Sequence, residues 1–162
     1  MIIQKIENSL TFAKARSGTY PFKLDVCLYI ADGVLVDAGS ANILKEIRKL
    51  LETEKITCAA ITHVHEDHTG AAAWIKNNLK VPVYLHKNSI AEASVRSDIP
   101  LYRRITWGKR EGFAGDPMPG CIVTGKFRFD VIEVVGDGNA EDSKINHIEN
   151  AFPLDRRYAV PF

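Results

Sequence analysis

Cysteine is scarce in this chain: three residues in 162, at Cys27, Cys58 and Cys121, with no CxxC pair among them. An odd number of widely spaced cysteines argues against a disulfide framework and fits a reducing compartment. No apolar run approaches the roughly 20 residues that a membrane-spanning helix needs. Residues 1–7 have no basic lead, long apolar stretch or small-residue cleavage site, so no secretory leader is expected and the chain reads as cytoplasmic. Charge of one sign is missing too, because Lys and Arg number 21 against 20 Asp and Glu, for a net charge of +1. That balance gives no general pull toward nucleic acid or an anionic membrane. With 46% apolar residues, 25% charged residues and no repeat or linker, the whole of 1–162 is expected to be one globular domain.

Residues 25–30 are β-rich and mostly apolar. Ala31-Asp32-Gly33 then signals a tight hairpin, because Gly tolerates the positive φ such turns require, and Val34-Leu35-Val36 is the return strand. Ser40 is a candidate N-cap for a helix over 41–52, whose Ile43, Leu44, Ile47, Leu50 and Leu51 form one apolar stripe. Residues 56–62 read as a buried strand, 69–79 as a helix and 81–85 as a strand, with Asn88 capping a further helix to about Val95. This alternation predicts an α/β layered fold. Residues 98–120, rich in Gly and Pro, read as a long loop, and 126–135 as a strand. The pattern weakens in 137–162, which reads as a divergent or truncated tail.

The informative segment is Thr62-His63-Val64-His65-Glu66-Asp67-His68-Thr69-Gly70, which holds three of the five histidines. On an extended segment leaving a strand, His63 and His65 point the same way and can reach one metal. Asp67 and His68 precede the helix, and a turn there swings them toward a second. Imidazole with carboxylate suits zinc, and also iron or manganese. A bound metal would activate water, with Asp67 holding that water as its base. His86 and His147 read as ordinary core or surface residues. Cys27 and Cys58 read as buried packing residues inside strands. Arg103, Arg104, Lys109 and Arg110, interleaved with Tyr102 and Trp107, read as a solvated loop rather than a nucleic-acid grip.

The run His63-x-His65-x-Asp67-His68, with Gly70 two residues on, resembles the HxHxDH signature of the metallo-β-lactamase-fold hydrolase superfamily. The hairpin ending in Val36-Asp37-Ala38-Gly39 upstream is similar to that family as well. The resemblance covers about residues 2–135 and is strongest over 24–86. It implies an αββα sandwich with the metals at one edge, between the sheets. It also implies that His63 and His65 serve one metal, Asp67 and His68 the other, and that Asp37 supports these ligands from beneath. After Val135 the chain departs from the family. Where a Pro-Gly-His turn is expected it reads Val135-Gly136-Asp137, with Asp137 as a substitute oxygen ligand. The second half of the sandwich is therefore expected to be incomplete. An open sheet edge of this kind invites pairing into a homo-oligomer.

The resemblance implies a metal-dependent hydrolase with one or two zinc ions, acting on a small-molecule ester, thioester, amide or phosphoester. A degenerate member binding one metal or none is the alternative, and a mononuclear iron oxygenase of the same superfamily is a further one.

Overall fold

The computed structural model describes residues 2–6, 9–21, 23–134 and 145–153, with the backbone alone at 5–6, 133–134 and 145–153. Seven strands form the larger sheet in chain order: β1 (Ile2–Ile6), β2 (Leu10–Ser17), β3 (Leu24–Ala31), β4 (Val34–Val36), β5 (Cys58–Ala60), β6 (Val83–Leu85) and β7 (Asp116–Pro117). The first four are antiparallel hairpin neighbours, and β4 to β7 run parallel. Parallel neighbours need crossover connections, and here the crossovers carry the helices. These are α1 (Leu44–Thr53), α2 (Glu66–Thr69), α3 (Ala72–Trp74), α4 (Ile90–Ala93) and α5 (Leu101–Trp107). A second, antiparallel sheet has the order β10 (Ile145–Pro153), β9 (Phe127–Val134), β8 (Cys121–Val123).

Strand alternation divides the molecule into two cores. On β3, Val26, Leu28 and Ile30 face the helices and pack with Leu35, Ile43, Ile47, Leu51, Ala59, Ile75 and Val83. Ala31 faces the other way and packs with Val34, Cys58, Ala60, Phe127 and Phe129 between the two sheets. This is a helix layer, a large sheet and a small second sheet. The αββα expectation holds for those three layers, and among the described residues no helix follows β9.

The hairpin from β3 to β4 forms as predicted, with Asp32 (φ 47°) and Gly33 (φ 88°) in its turn. Elsewhere the structure corrects the sequence. The Ser40 side chain caps nothing. A 3₁₀ turn at Ala41–Ile43 precedes α1, and the Ser40 hydroxyl meets that of Ser17 at 2.7 Å. His86, buried, caps the next turn by accepting from the Asn88 N–H at 3.3 Å, so Asn88 is not the cap. The predicted helix over 69–79 is broken: α2 starts earlier, and α3 passes into a π turn at Ile75–Leu79. The expected loop at 98–120 contains α5 and β7. Cys27 is exposed on β3 rather than buried, whereas Cys58 is buried as expected. Arg110 is 2% exposed, and its guanidinium donates to the carbonyls of Ala93 and Val95 (both 2.9 Å) at the end of α4. It is a structural cap and not part of a solvated loop.

Candidate metal centre

The motif leaves the C-terminal end of β5 through bends at Thr62, Val64 and His65, rather than as the extended run expected, and turns into α2 after His65 (φ −63°, ψ 157°). Two backbone contacts lock this turn against the end of β4. The Ala38 N–H donates to the His68 carbonyl at 2.7 Å, and the Gly70 N–H to the Gly39 carbonyl at 2.6 Å. The approach is so close that a Cβ on Gly70 would stand 2.0 Å from the Ala41 nitrogen, so only glycine fits.

The ring centroids of His63 and His65 are 4.7 Å apart, and those of His63 and His68 are 4.0 Å apart. Beneath them lies Asp37, held at φ 58°, a conformation Asp tolerates better than most residues. Its carboxylate accepts from His68 Nδ1 at 2.7 Å, from the Thr62 N–H at 2.9 Å and from the Thr62 hydroxyl at 2.9 Å. With its proton committed to Asp37, the Thr62 oxygen accepts from His63 Nδ1 at 3.0 Å. One carboxylate thus sets two imidazoles, His68 directly and His63 through a hydroxyl. Both rings turn Nε2 away from Asp37 and Thr62, and that of His68 faces Asp67.

His68 Nε2 stands 3.3 Å from Asp67 Oδ2. Two ligands bound tetrahedrally at zinc distances are about 3.3 Å apart, so this pair has the edge length of a zinc shell. Charge follows the same geometry. Burial lowers the pKa of His68, but the Asp37 and Asp67 carboxylates outweigh it and hold the imidazole up to about 10. Burial, with His68 beside it, pushes His63 down to about 4. Asp67 is held below the usual carboxylate range by His68, against the effect of burial.

The structure thus brings His63, His65, Asp67, His68 and Asp37 together. Among the described residues, no three His, Cys, Asp or Glu side chains assemble a complete metal-holding group. The donor chemistry and the one ligand pair fit a divalent cation; a closed shell is not formed by the described residues. Asp137 lies outside the described residues, and His147 is placed by its backbone alone, opposite Ile132 on β9.

Two participants escaped the sequence. Thr62 is the relay to His63, and its signal was its position immediately before the motif. Glu66, inside the motif, is 5% exposed and accepts from Arg103 Nη2 at 2.6 Å, which ties α5 to the start of α2. An acid inside the His-rich motif was the available signal.

A two-sheet sandwich with helices on one outer face, and a His and Asp cluster where β4 and β5 end, defines a metallohydrolase-type architecture. The sequence profile of the metallo-beta-lactamase superfamily matches residues 27–151, and the chain belongs to that superfamily. Similar solved structures include a metallo-beta-lactamase from Pontibacter korlensis, at 17% identity and TM-score 0.60, with 91% of this chain and 66% of that chain covered. A Cronobacter sakazakii metallo-beta-lactamase with a HARLDQ motif matches at 18% identity and TM-score 0.61, covering 84% of this chain and 56% of that one. The class B3 di-zinc metallo-beta-lactamase LRA-12 from an Alaskan soil metagenome matches at 18% identity and TM-score 0.58, covering 89% and 55%. At these identities the likeness shows the fold. The chain spans less than two thirds of the length of these structures. A comparison with curated proteins finds no significant match. Among the described residues, no helix is long and apolar enough to cross a membrane.

Proposed function

We propose that this chain is a zinc-dependent hydrolase of small-molecule esters, thioesters, amides or phosphoesters. Asp67 and His68 would hold one ion, and His63 and His65 would serve a second. The observation that carries the reading is the 3.3 Å separation of His68 Nε2 and Asp67 Oδ2, with Nδ1 of the same ring donating to Asp37. Zinc bound there would lower the pKa of a water ligand toward neutrality and polarise the scissile carbonyl or phosphoryl group. The chain's own residues supply the rest. Asp37 keeps His68 in one tautomer, and Thr62 does the same for His63. The free oxygen of Asp67 orients the attacking water and takes its proton. The unpaired cysteines support a reducing compartment, and the edges of the second sheet, which no other described strand pairs, support self-association.

A second reading is a degenerate member that binds one metal or none. It is favoured by the missing third donor among the described residues.

The test is elemental analysis of untagged protein after zinc loading and gel filtration, with hydrolysis assays across the four substrate classes. We expect about one to two zinc per chain. Zinc-dependent turnover should be lost in His63→Ala and Asp67→Ala, with melting temperatures near that of the parent. Full activity in His63→Ala overturns the assignment. Protein that retains no zinc is the degenerate member, and iron in its place marks the oxygenase.

A further inference from the structure

A helix on a globular surface normally turns its apolar arc inward, and α5 does the reverse. At helical spacing, Leu101, Tyr102 and Ile105 share an arc of about 100°, and Arg103, Thr106 and Trp107 share the opposite one. The apolar arc faces out: Leu101 is 68% exposed, Tyr102 59% and Ile105 37%. The opposite arc faces in. Arg103 reaches Glu66 at 2.6 Å, Thr106 is buried, and Trp107 packs on the core at the end of the helix. Polar contacts hold this inversion in place. Ser97 and Arg110 clamp the base of the segment, the Ser97 N–H donating to the Arg110 carbonyl and the Arg110 N–H to the Ser97 hydroxyl, both at 3.0 Å. Asn42 donates to the carbonyls of Ile105 and Thr106, and the Ser17 hydroxyl donates to that of Thr106.

The Ser17 contact joins α5 to the β2–β3 hairpin. Leu24 pairs with Ser17 and shares the helix-facing side of β3 with Val26 and Leu28, so it stands beside the end of α5. Leu24 is half exposed, and Tyr20 in the hairpin tip is 88% exposed. Two projecting elements therefore present apolar side chains to solvent side by side. The free charge on them is of one sign. Within residues 18–24 and 96–111, Arg96 is paired with Glu111, Arg103 with Glu66, and Arg110 is buried. Among the described residues, Lys23, Arg104 and Lys109 have no acidic partner, and the unpaired acid set against them is Asp98. The net charge of +1 for the whole chain conceals this local excess.

We propose that this face docks on an anionic lipid surface. Leu24, Leu101, Ile105 and the two tyrosines enter the headgroup boundary, and Lys23, Arg104 and Lys109 meet the anionic headgroups. Tyr suits that depth, because its ring is apolar and its hydroxyl stays in water. Projecting elements suit a fluid interface that moulds around them, whereas a folded partner needs a matching concave surface. The docked face lies beside the candidate metal centre, since Arg103 ties α5 to the residue before Asp67. The docking does not rest on the hydrolase reading.

The test is co-sedimentation of the whole chain with phosphatidylcholine vesicles containing about 30% phosphatidylserine, beside vesicles of phosphatidylcholine alone. Partitioning onto the anionic vesicles should be about tenfold stronger or more, and should be lost in about 0.5 M salt. Arg104→Glu should weaken it about tenfold, and Leu101→Ser combined with Tyr102→Ser should weaken it by a similar factor. These side chains are exposed, so melting temperatures should stay near that of the parent. Lys49→Glu makes the same change of charge at an exposed position on α1 and should leave partitioning near parental. Equal partitioning onto both vesicles, or onto neither, overturns the proposal. So does an equal loss in Lys49→Glu and Arg104→Glu, which marks attraction to the whole protein rather than to this face. Dimerisation without vesicle binding, abolished by the double Ser variant, overturns it in favour of a second copy of the chain. Turnover is not read at any step, so this proposal and the hydrolase reading fail separately.

Discussion

Asp37 decides how the histidines present themselves, although it is not assigned as a ligand. Its carboxylate receives His68 Nδ1 at 2.7 Å and, through the Thr62 hydroxyl, determines which nitrogen of His63 is free. Its role was legible only through family resemblance, because nothing in Val36-Asp37-Ala38-Gly39 reveals which rings lie above it. The motif itself was legible from residue types and spacing. Asp37→Asn separates charge from backbone, since Asn also tolerates the φ of 58° found there. We expect zinc affinity to fall about 10–100-fold in Asp37→Asn, the usual cost of losing a partner of a ligating histidine. Thr62→Val, which removes only the relay to His63, should fall at the lower end of that range. Competition against a chromophoric chelator measures both. Parental affinity in Asp37→Asn would show that the carboxylate does not orient the rings.

At the scale of elements, the ligand loop is fastened from outside by α5. Arg103 reaches Glu66 at 2.6 Å with side-chain exposures of 23% and 7%, and Asn42 donates to the carbonyls of Ile105 (2.9 Å) and Thr106 (3.1 Å). This explains why α5 was unreadable. It is seven residues long, leaves Leu101, Tyr102 and Ile105 exposed, and docks mainly through polar contacts that carry no apolar period. β10 escaped for another reason: its register against β9 shifts between Glu149 and Ala151, and an irregularity there spoils alternation by one residue. α1 was legible because burial shapes its apolar stripe, and the β3–β4 hairpin because Asp32 and Gly33 supply the positive φ of its turn. Removing Arg103 strands a buried carboxylate. Arg103→Ala should therefore lower stability by about 3 kcal/mol, whereas the double variant Arg103→Met with Glu66→Met should recover most of it, because no charge is then left unpaired. Urea midpoints give both values. A midpoint unchanged in Arg103→Ala would mean that the pair fastens nothing.

For the molecule as a whole, the two cores are unequal, and the candidate metal centre belongs to the larger one. Strands β3 to β6 share the core under the helices with α1 and α3, where Leu28, Leu35, Ile47, Ile61, Ile75 and Val83 are fully buried. Among the described side chains, the second sheet contributes Phe127 and Phe129 as its buried residues. Full burial of such a side chain stabilises by roughly 1.5–3 kcal/mol, so this pair holds the second sheet by about 3–6 kcal/mol. That is the scale of a local opening rather than of global unfolding. Amide hydrogen exchange should therefore find β8 and β9 opening as a unit, earlier than β3, β4 and β5. Phe129→Ala, expected to cost about 3–5 kcal/mol, should speed exchange in β8 and β9 while leaving the β3 to β5 amides near their parental rates. Zinc bound at the ends of β4 and β5 should protect the larger sheet and leave β8 and β9 unchanged, since the candidate ligands Asp67 and His68 lie on α2 and their support Asp37 follows β4. If Phe129→Ala instead accelerates every strand equally, the two sheets unfold as one.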